Sequence, residues 1–163
     1  MPMKHVFFLY LTLLLGTAPG CATPGGVSLR PDGSPGPEEC SEKAREVMRI
    51  LGLRVSDGAT VELDLNQAED SPITLYDGPI ESELESSLGF LPPPTRLYGR
   101  VWTGGPQVVI RYYEAHPPDR EKFPICAVAR LAGGQLKKLP GSKPGMALVE
   151  FSSAGIYIVE SFR

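Results

Sequence analysis

Three cysteines, Cys21, Cys40 and Cys126, are the residues of this chain with the most chemistry open to them. A thiol can be a nucleophile, a metal ligand, half of a disulfide or a site of acylation. Two histidines occur, and His116 is the one outside the apolar N-terminal stretch. His116 alone cannot build a histidine-rich metal site, and pairing with Cys126 would require a reduced, exposed thiolate. Its plainer reading is a loop histidine beside Pro117 and Pro118. Asp57, Asp64, Glu69, Asp70 and Asp77 invite calcium or paired-carboxylate chemistry, but their spacing, even with Asn66, does not fit an EF-hand loop. The Gly133–Lys138 stretch lacks the Gly-Lys-Ser/Thr core of a phosphate-binding loop, and Gly58 after Asp57 reads as a turn. No catalytic residue, metal site or cofactor is assigned.

The N-terminus changes what the cysteines can be. Lys4 precedes a nearly unbroken apolar run from Val6 to Leu15, which Gly16 and Pro19 then end. This is the order of a secretory signal, charged, apolar, then small. A ten-residue helix reaches about 15 Å, roughly half the hydrocarbon thickness, so a permanent span is disfavoured. Ala18-Pro19-Gly20-Cys21 resembles a lipobox, the motif cut just before a cysteine that then receives lipid. Ala18 stands where that pattern prefers Leu. The resemblance implies residues 1–20 as signal peptide and Cys21 as the acylated first residue of a mature, palmitate-bearing chain held in the bilayer. Ala22 then fits delivery to the outer membrane, facing periplasm or cell surface. Ordinary cleavage after Ala22, giving a secreted soluble protein, is the alternative.

Either route removes or blocks Cys21 and leaves Cys40 and Cys126 as a pair in an oxidising compartment. A disulfide between them is expected, worth about 4.6 kcal/mol on a chain-entropy estimate. Two buried free thiols are the competing reading. The formal charge is −3, from 16 basic and 19 acidic residues, and no basic block offsets it. Nucleic acid is therefore not an expected partner, because phosphate binding rests on Lys and Arg. Lys137, Lys138 and Lys143 make only a small basic loop.

Residues 21–37, rich in Gly, Pro and Ser, read as a lipidated flexible tether. Residues 38–163 read as one β-rich domain with an N-terminal helix. Cys40, Ala44, Val47, Met48 and Leu51 recur at helical spacing over Glu38–Leu51. Thr60–Leu65 and Ile73–Tyr76 alternate like strands. Ile80, Leu84 and Leu88 suggest a short helix over Pro79–Leu88, and Leu91–Pro94 a stiff connector. Thr95–Thr103, Gln107–Ala115 and Lys122–Leu131 are strongly β, joined at Gly104–Pro106 and at His116–Glu121. Ala147–Phe151 and Ile156–Phe162 suggest a final hairpin. The fold expected is mainly β with an N-terminal helix, a small antiparallel barrel or sandwich.

One sheet face stands out. Arg96, Tyr98, Arg100 and Trp102 share a parity opposite to Leu97, Gly99 and Val101. On the next strand Arg111 and Tyr113 oppose Val108, Ile110 and Tyr112. Arg, Tyr and Trp are enriched at interfaces, so these six form a candidate binding surface. An ordinary solvated sheet face with Trp102 partly buried is the alternative.

LPPPTRLYGRVWTGG, followed by VVIRYYEAHPPDREKFPIC, is similar to a pattern in small myxobacterial lipoproteins. The matching residues include Leu91, Pro92, Thr95, Leu97, Gly99, Trp102, Thr103, Glu114, Ala115, Pro118, Asp119, Pro124 and Cys126. Pro94 and Arg120 stand where that pattern carries glycine, which implies altered turns. The resemblance covers roughly residues 91–130. It implies location and fold class and supplies no active site. The function expected is an envelope-anchored, non-catalytic structural or protein-binding module with an envelope protein as partner. An accessory or inhibitory subunit of an envelope machine, a small-ligand carrier in a hollow barrel, and a hydrolase are the alternatives.

Overall fold

The computed structural model describes residues 26–67 and 71–163. The signal segment, Cys21, residues 22–25 of the expected tether, and Glu69 and Asp70 lie outside the described residues. In chain order the elements are β1 (Glu38–Glu39), α1 (Glu42–Ile50), β2 (Gly58–Glu62), β3 (Ile73–Tyr76), β4 (Gly78–Leu84) and β5 (Arg96–Trp102). They continue with β6 (Gln107–His116), β7 (Phe123–Arg130), β8 (Leu136–Lys137), β9 (Met146–Val149), β10 (Ser153–Ile158) and β11 (Ser161–Phe162).

Six strands in the order β5-β4-β2-β10-β7-β6 close into an antiparallel barrel, because β6 pairs back to β5. The expectation of a small antiparallel barrel or sandwich resolves to the barrel. Closure removes the free edges of an open sheet. Strand alternation decides what fills it. Leu97 and Val101 of β5, Ile110 and Tyr112 of β6, and Ile156 and Ile158 of β10 are all buried. They share parity with Ala127 and Ala129 of β7, through the pairs Tyr112–Ala127, Ile156–Ala129 and Ile158–Ala127. Small alanines opposite large aliphatics let the layers interlock. Buried Ser82 is satisfied: its Oγ donates to the Leu63 carbonyl at 2.5 Å and lies 2.7 Å from the Tyr112 hydroxyl.

Ser82 also marks its segment as a strand. Pro79–Leu88 was expected as a short helix, yet residues 78–84 form β4. Ile80 and Leu84 stand four apart, a spacing that fits a helix face and alternate strand positions alike. Ser82 between them is buried as well, which only the strand permits. The expected hairpin of Ala147–Phe151 with Ile156–Phe162 is also absent. β9 pairs with β3 instead, and β10 enters the barrel between β2 and β7.

The helix is shorter than Glu38–Leu51. Ser41 is its cap, accepting a bond from the Ala44 amide at 3.1 Å, and Glu38–Glu39 pair with β11 as a strand. Nine residues are marginal as an isolated helix, so packing must hold α1 in place. Ala44 and Met48 are its buried residues, and it lies against β7. Cys40, just before it, is bonded to Cys126 of β7 with 6.0 Å between Cα atoms. The disulfide thus joins the helix layer to the outer wall of the barrel.

The largest departure concerns residues 26–37, expected as tether. The Arg30 amide bonds the Ser34 carbonyl at 2.8 Å, and the Gly36 amide bonds that of Ser28 at 2.7 Å. Ser34, Pro35 and Gly36 are buried. Gly33, at φ +85°, meets the backbone of Gly104 so closely that a Cβ would stand 2.7 Å from the Gly104 carbonyl oxygen. Glycine on both sides permits this approach, which composition alone reads as flexibility. The stretch is a tight turn strapped across the β5–β6 hairpin.

Candidate binding surface

The strap divides the six residues of the Arg/Tyr/Trp face. Across β5 and β6, Arg100 opposes Arg111, Tyr98 opposes Glu114 and Arg96 opposes His116. A bulge at Tyr113 keeps Gly99 opposite Tyr112, so Tyr98 and Glu114 remain on one face. Gly99 is needed there, since a Cβ would stand 2.2 Å from the Arg111 carbonyl oxygen.

Arg111 is not a solvated surface residue, as the alternation suggested. It is 1% exposed, and Trp102 is 7% exposed. The Arg111 guanidinium donates to the Gly36 carbonyl at 2.8 Å and to Glu38 Oε2 at 3.2 Å. It sits 5.4 Å from the Trp102 ring and 5.0 Å from that of Phe162. The Tyr113 hydroxyl donates to the same Glu38 oxygen at 2.8 Å. Burial first, then the bond to Glu38, pushes the Tyr113 phenol well above its ordinary range. Arg111, Tyr113 and Trp102 therefore latch the strap. No local signal announced this, because the covering carbonyl and carboxylate lie some seventy-five residues earlier in the chain.

The upper part of the face is an exposed polar network. Arg96 pairs with Glu81 at 2.6 Å, and Tyr98 donates to the same oxygen at 2.8 Å. The Tyr98 bond and then the Arg96 bond hold the Glu81 carboxyl below its usual value. His116 packs 4.2 Å from the Tyr98 ring, centroid to centroid, and pairs with Glu114, which Lys122 also approaches at 3.4 Å. The His116 bond, then the Lys122 charge, lower the Glu114 carboxyl. His116 is thus occupied on the wall, and Cys126 is sealed in its disulfide.

Between strap and wall lies a groove of about 400 Å³. Gly26, Val27 and Leu29 form one side, and Arg100, Trp102 and Tyr113 the other, with Glu38 and Asp77. Asp77 accepts the Thr103 amide, and Glu38 is taken by Arg111 and Tyr113. Arg100 has no ion pair among the described residues; its guanidinium stands 5.6 Å from the Trp102 ring. A free cation on an aromatic plate suits an anionic or aromatic group. Sequence reasoning found Arg100, Trp102 and Tyr113 and missed the strap that makes the second wall.

Of the acidic residues considered for calcium, Asp57 and Asp64 serve local turns. Asp57 accepts the Arg54 amide, and Asp64 accepts from Asn66 and Gln67. Among the described residues no cluster of three or more metal-ligating side chains occurs. No helix there is long and apolar enough to cross a membrane. Comparison with protein families, with curated proteins and with solved structures finds no match for this chain.

Proposed function

We propose that this chain is an exported lipoprotein, anchored through acylated Cys21, that serves as a non-catalytic protein-binding module of the cell envelope. The Arg100–Trp102 groove carries the reading. A packed barrel leaves the outer wall as the place for recognition, and here a guanidinium with no ion pair among the described residues, an indole and a phenol converge beside the N-terminal strap. Arg and aromatic residues in a partly desolvated pocket are what dominate binding energy at protein interfaces. The groove also stands where the chain leaves the domain toward Cys21. Gly26 is five chain steps from that cysteine, so the groove would sit within about 18 Å of an anchoring membrane.

Two measurements test this. Intact mass spectrometry of the mature protein is expected to find acylated Cys21 as its first residue; a soluble chain starting at Thr23 would remove the anchor from the reading. A photoreactive residue at Arg100 in native cells is expected to give one discrete adduct with an envelope protein, absent when the probe is at Glu121. Equal labelling from both positions, or none from Arg100, would sink the binding role.

A further inference from the structure

The C-terminal end of α1 borders a different groove, of about 490 Å³. Met48, Leu53, Val55, Ile158 and Val159 give it an apolar floor, and Arg45, Arg49 and Arg54 line it. A further stretch of about 310 Å³ shares Val55, Ile158 and Val159 and adds Arg130 and Arg163. Five guanidinium groups thus surround one continuous trough, in a chain whose formal charge is −3. None of the five pairs with a carboxylate among the described residues. Arg163 donates to the Ser161 hydroxyl at 3.4 Å. Among the described residues Glu160 is the single acidic side chain lining either stretch.

Two features make this surface costly without a ligand. Arg45 and Arg49 stand one helical turn apart on α1, where like charges repel. Val55 in the floor is 58% exposed. Both costs are relieved by an occupant that is acidic and apolar together. We propose that this trough docks an extended acidic segment of a partner protein. Its apolar side chains would cover Leu53 and Val55, and its carboxylates would meet Arg45, Arg49, Arg54 and Arg130. Charge complementarity sets the sign, and the concave floor selects a peptide over a bilayer, which would engage protruding side chains rather than a trough. No residue is shared with the Arg100–Trp102 groove, so the two surfaces stand or fall separately.

The test is fluorescence anisotropy on the full chain, with a labelled peptide of alternating Glu and Leu as probe. Saturable binding is expected, weakening as salt rises, with a Lys/Leu peptide not bound. Arg45→Glu with Arg49→Glu and Arg54→Glu should weaken binding at least tenfold, and Val55→Asp should weaken it severalfold. Arg120→Glu, a charge reversal elsewhere, should leave it unchanged. Unaltered circular dichroism would show that each variant is folded. Absence of saturable binding, or equal binding by the triple variant, overturns the proposal. Binding of phosphatidylglycerol vesicles but not of the peptide, lost in the triple variant, overturns it in favour of a lipid surface.

Discussion

The Arg111 guanidinium lies 5.4 Å from the Trp102 ring on the outer wall of the barrel, and the N-terminal strap closes over both. A cation in such a place holds only while its partners are present. Glu38 neutralises it, the Gly36 carbonyl takes one of its N–H groups, and two aromatic rings flank it.

Arg111→Ala should therefore destabilise the protein by about 3 kcal/mol, the scale for breaking a buried, hydrogen-bonded charge pair. Arg111→Met, which keeps most of the volume, should cost less. Urea titration reads both. Chymotrypsin should cut after the exposed Leu29 faster in either variant, and emission from Trp102, the one tryptophan of the chain, should shift to the red. Unchanged cleavage would show that the strap is held by something else.

Reducing the Cys40–Cys126 bond should add 2 Da in mass and lower stability by about 4–5 kcal/mol, on the chain-entropy scale for residues 86 apart. Cys40→Ala with Cys126→Ala should behave as the reduced protein does. The loss should show first as fraying of α1, which has two buried residues of its own. Amide exchange in 42–50 against that in β5 measures it.

Gly99→Ala should cost about 3 kcal/mol, because the added carbon meets backbone, which cannot swing aside as a side chain can. Thermal unfolding gives the size. A change under about 0.5 kcal/mol, the range of ordinary surface substitutions, would mean that the bulge at Tyr113 relaxes freely.

Glu81 gives a pH prediction with a definite sign. Its folded pKa lies below the ordinary 4.5, chiefly through Tyr98 and then Arg96. The stabilisation is therefore present above the unfolded value and is lost as pH falls through the folded one. Tyr98→Phe should raise the Glu81 pKa toward 4.5 and lessen the stability lost below that pH. A carbon-detected NMR titration of the carboxyl checks the first point, and urea midpoints between pH 5 and 3 the second.

Much of this architecture could be read from local pattern. β5, β6 and β7 at Arg96–Trp102, Gln107–His116 and Phe123–Arg130 fall within the stretches read as β, and turn residues separate them. The cysteine pair followed from counting and compartment, and the bond is present. What could not be read was non-local or ambiguous in period. Ile80 and Leu84 satisfy two periodicities, and only the barrel interior chooses between them. β9 has nothing in its own residues that selects β3, some seventy positions earlier, over its neighbour β10. Arg111 has the parity of an outward residue and does point outward, but a second layer covers it. Parity gives the direction of a side chain and not the depth of what lies over it.

The strap and the disulfide together have a mechanical consequence for a chain held by its N-terminus. A pull from that side would act first on the Arg30–Ser34 and Ser28–Gly36 bonds, one after another, as a zipper opens. It would next part β1 from β11. At Cys40 the load would cross the covalent bond into β7, and six paired strands would share it. Residues 26–39 are then a sacrificial length, paying out on the order of 50 Å of slack before the barrel feels tension.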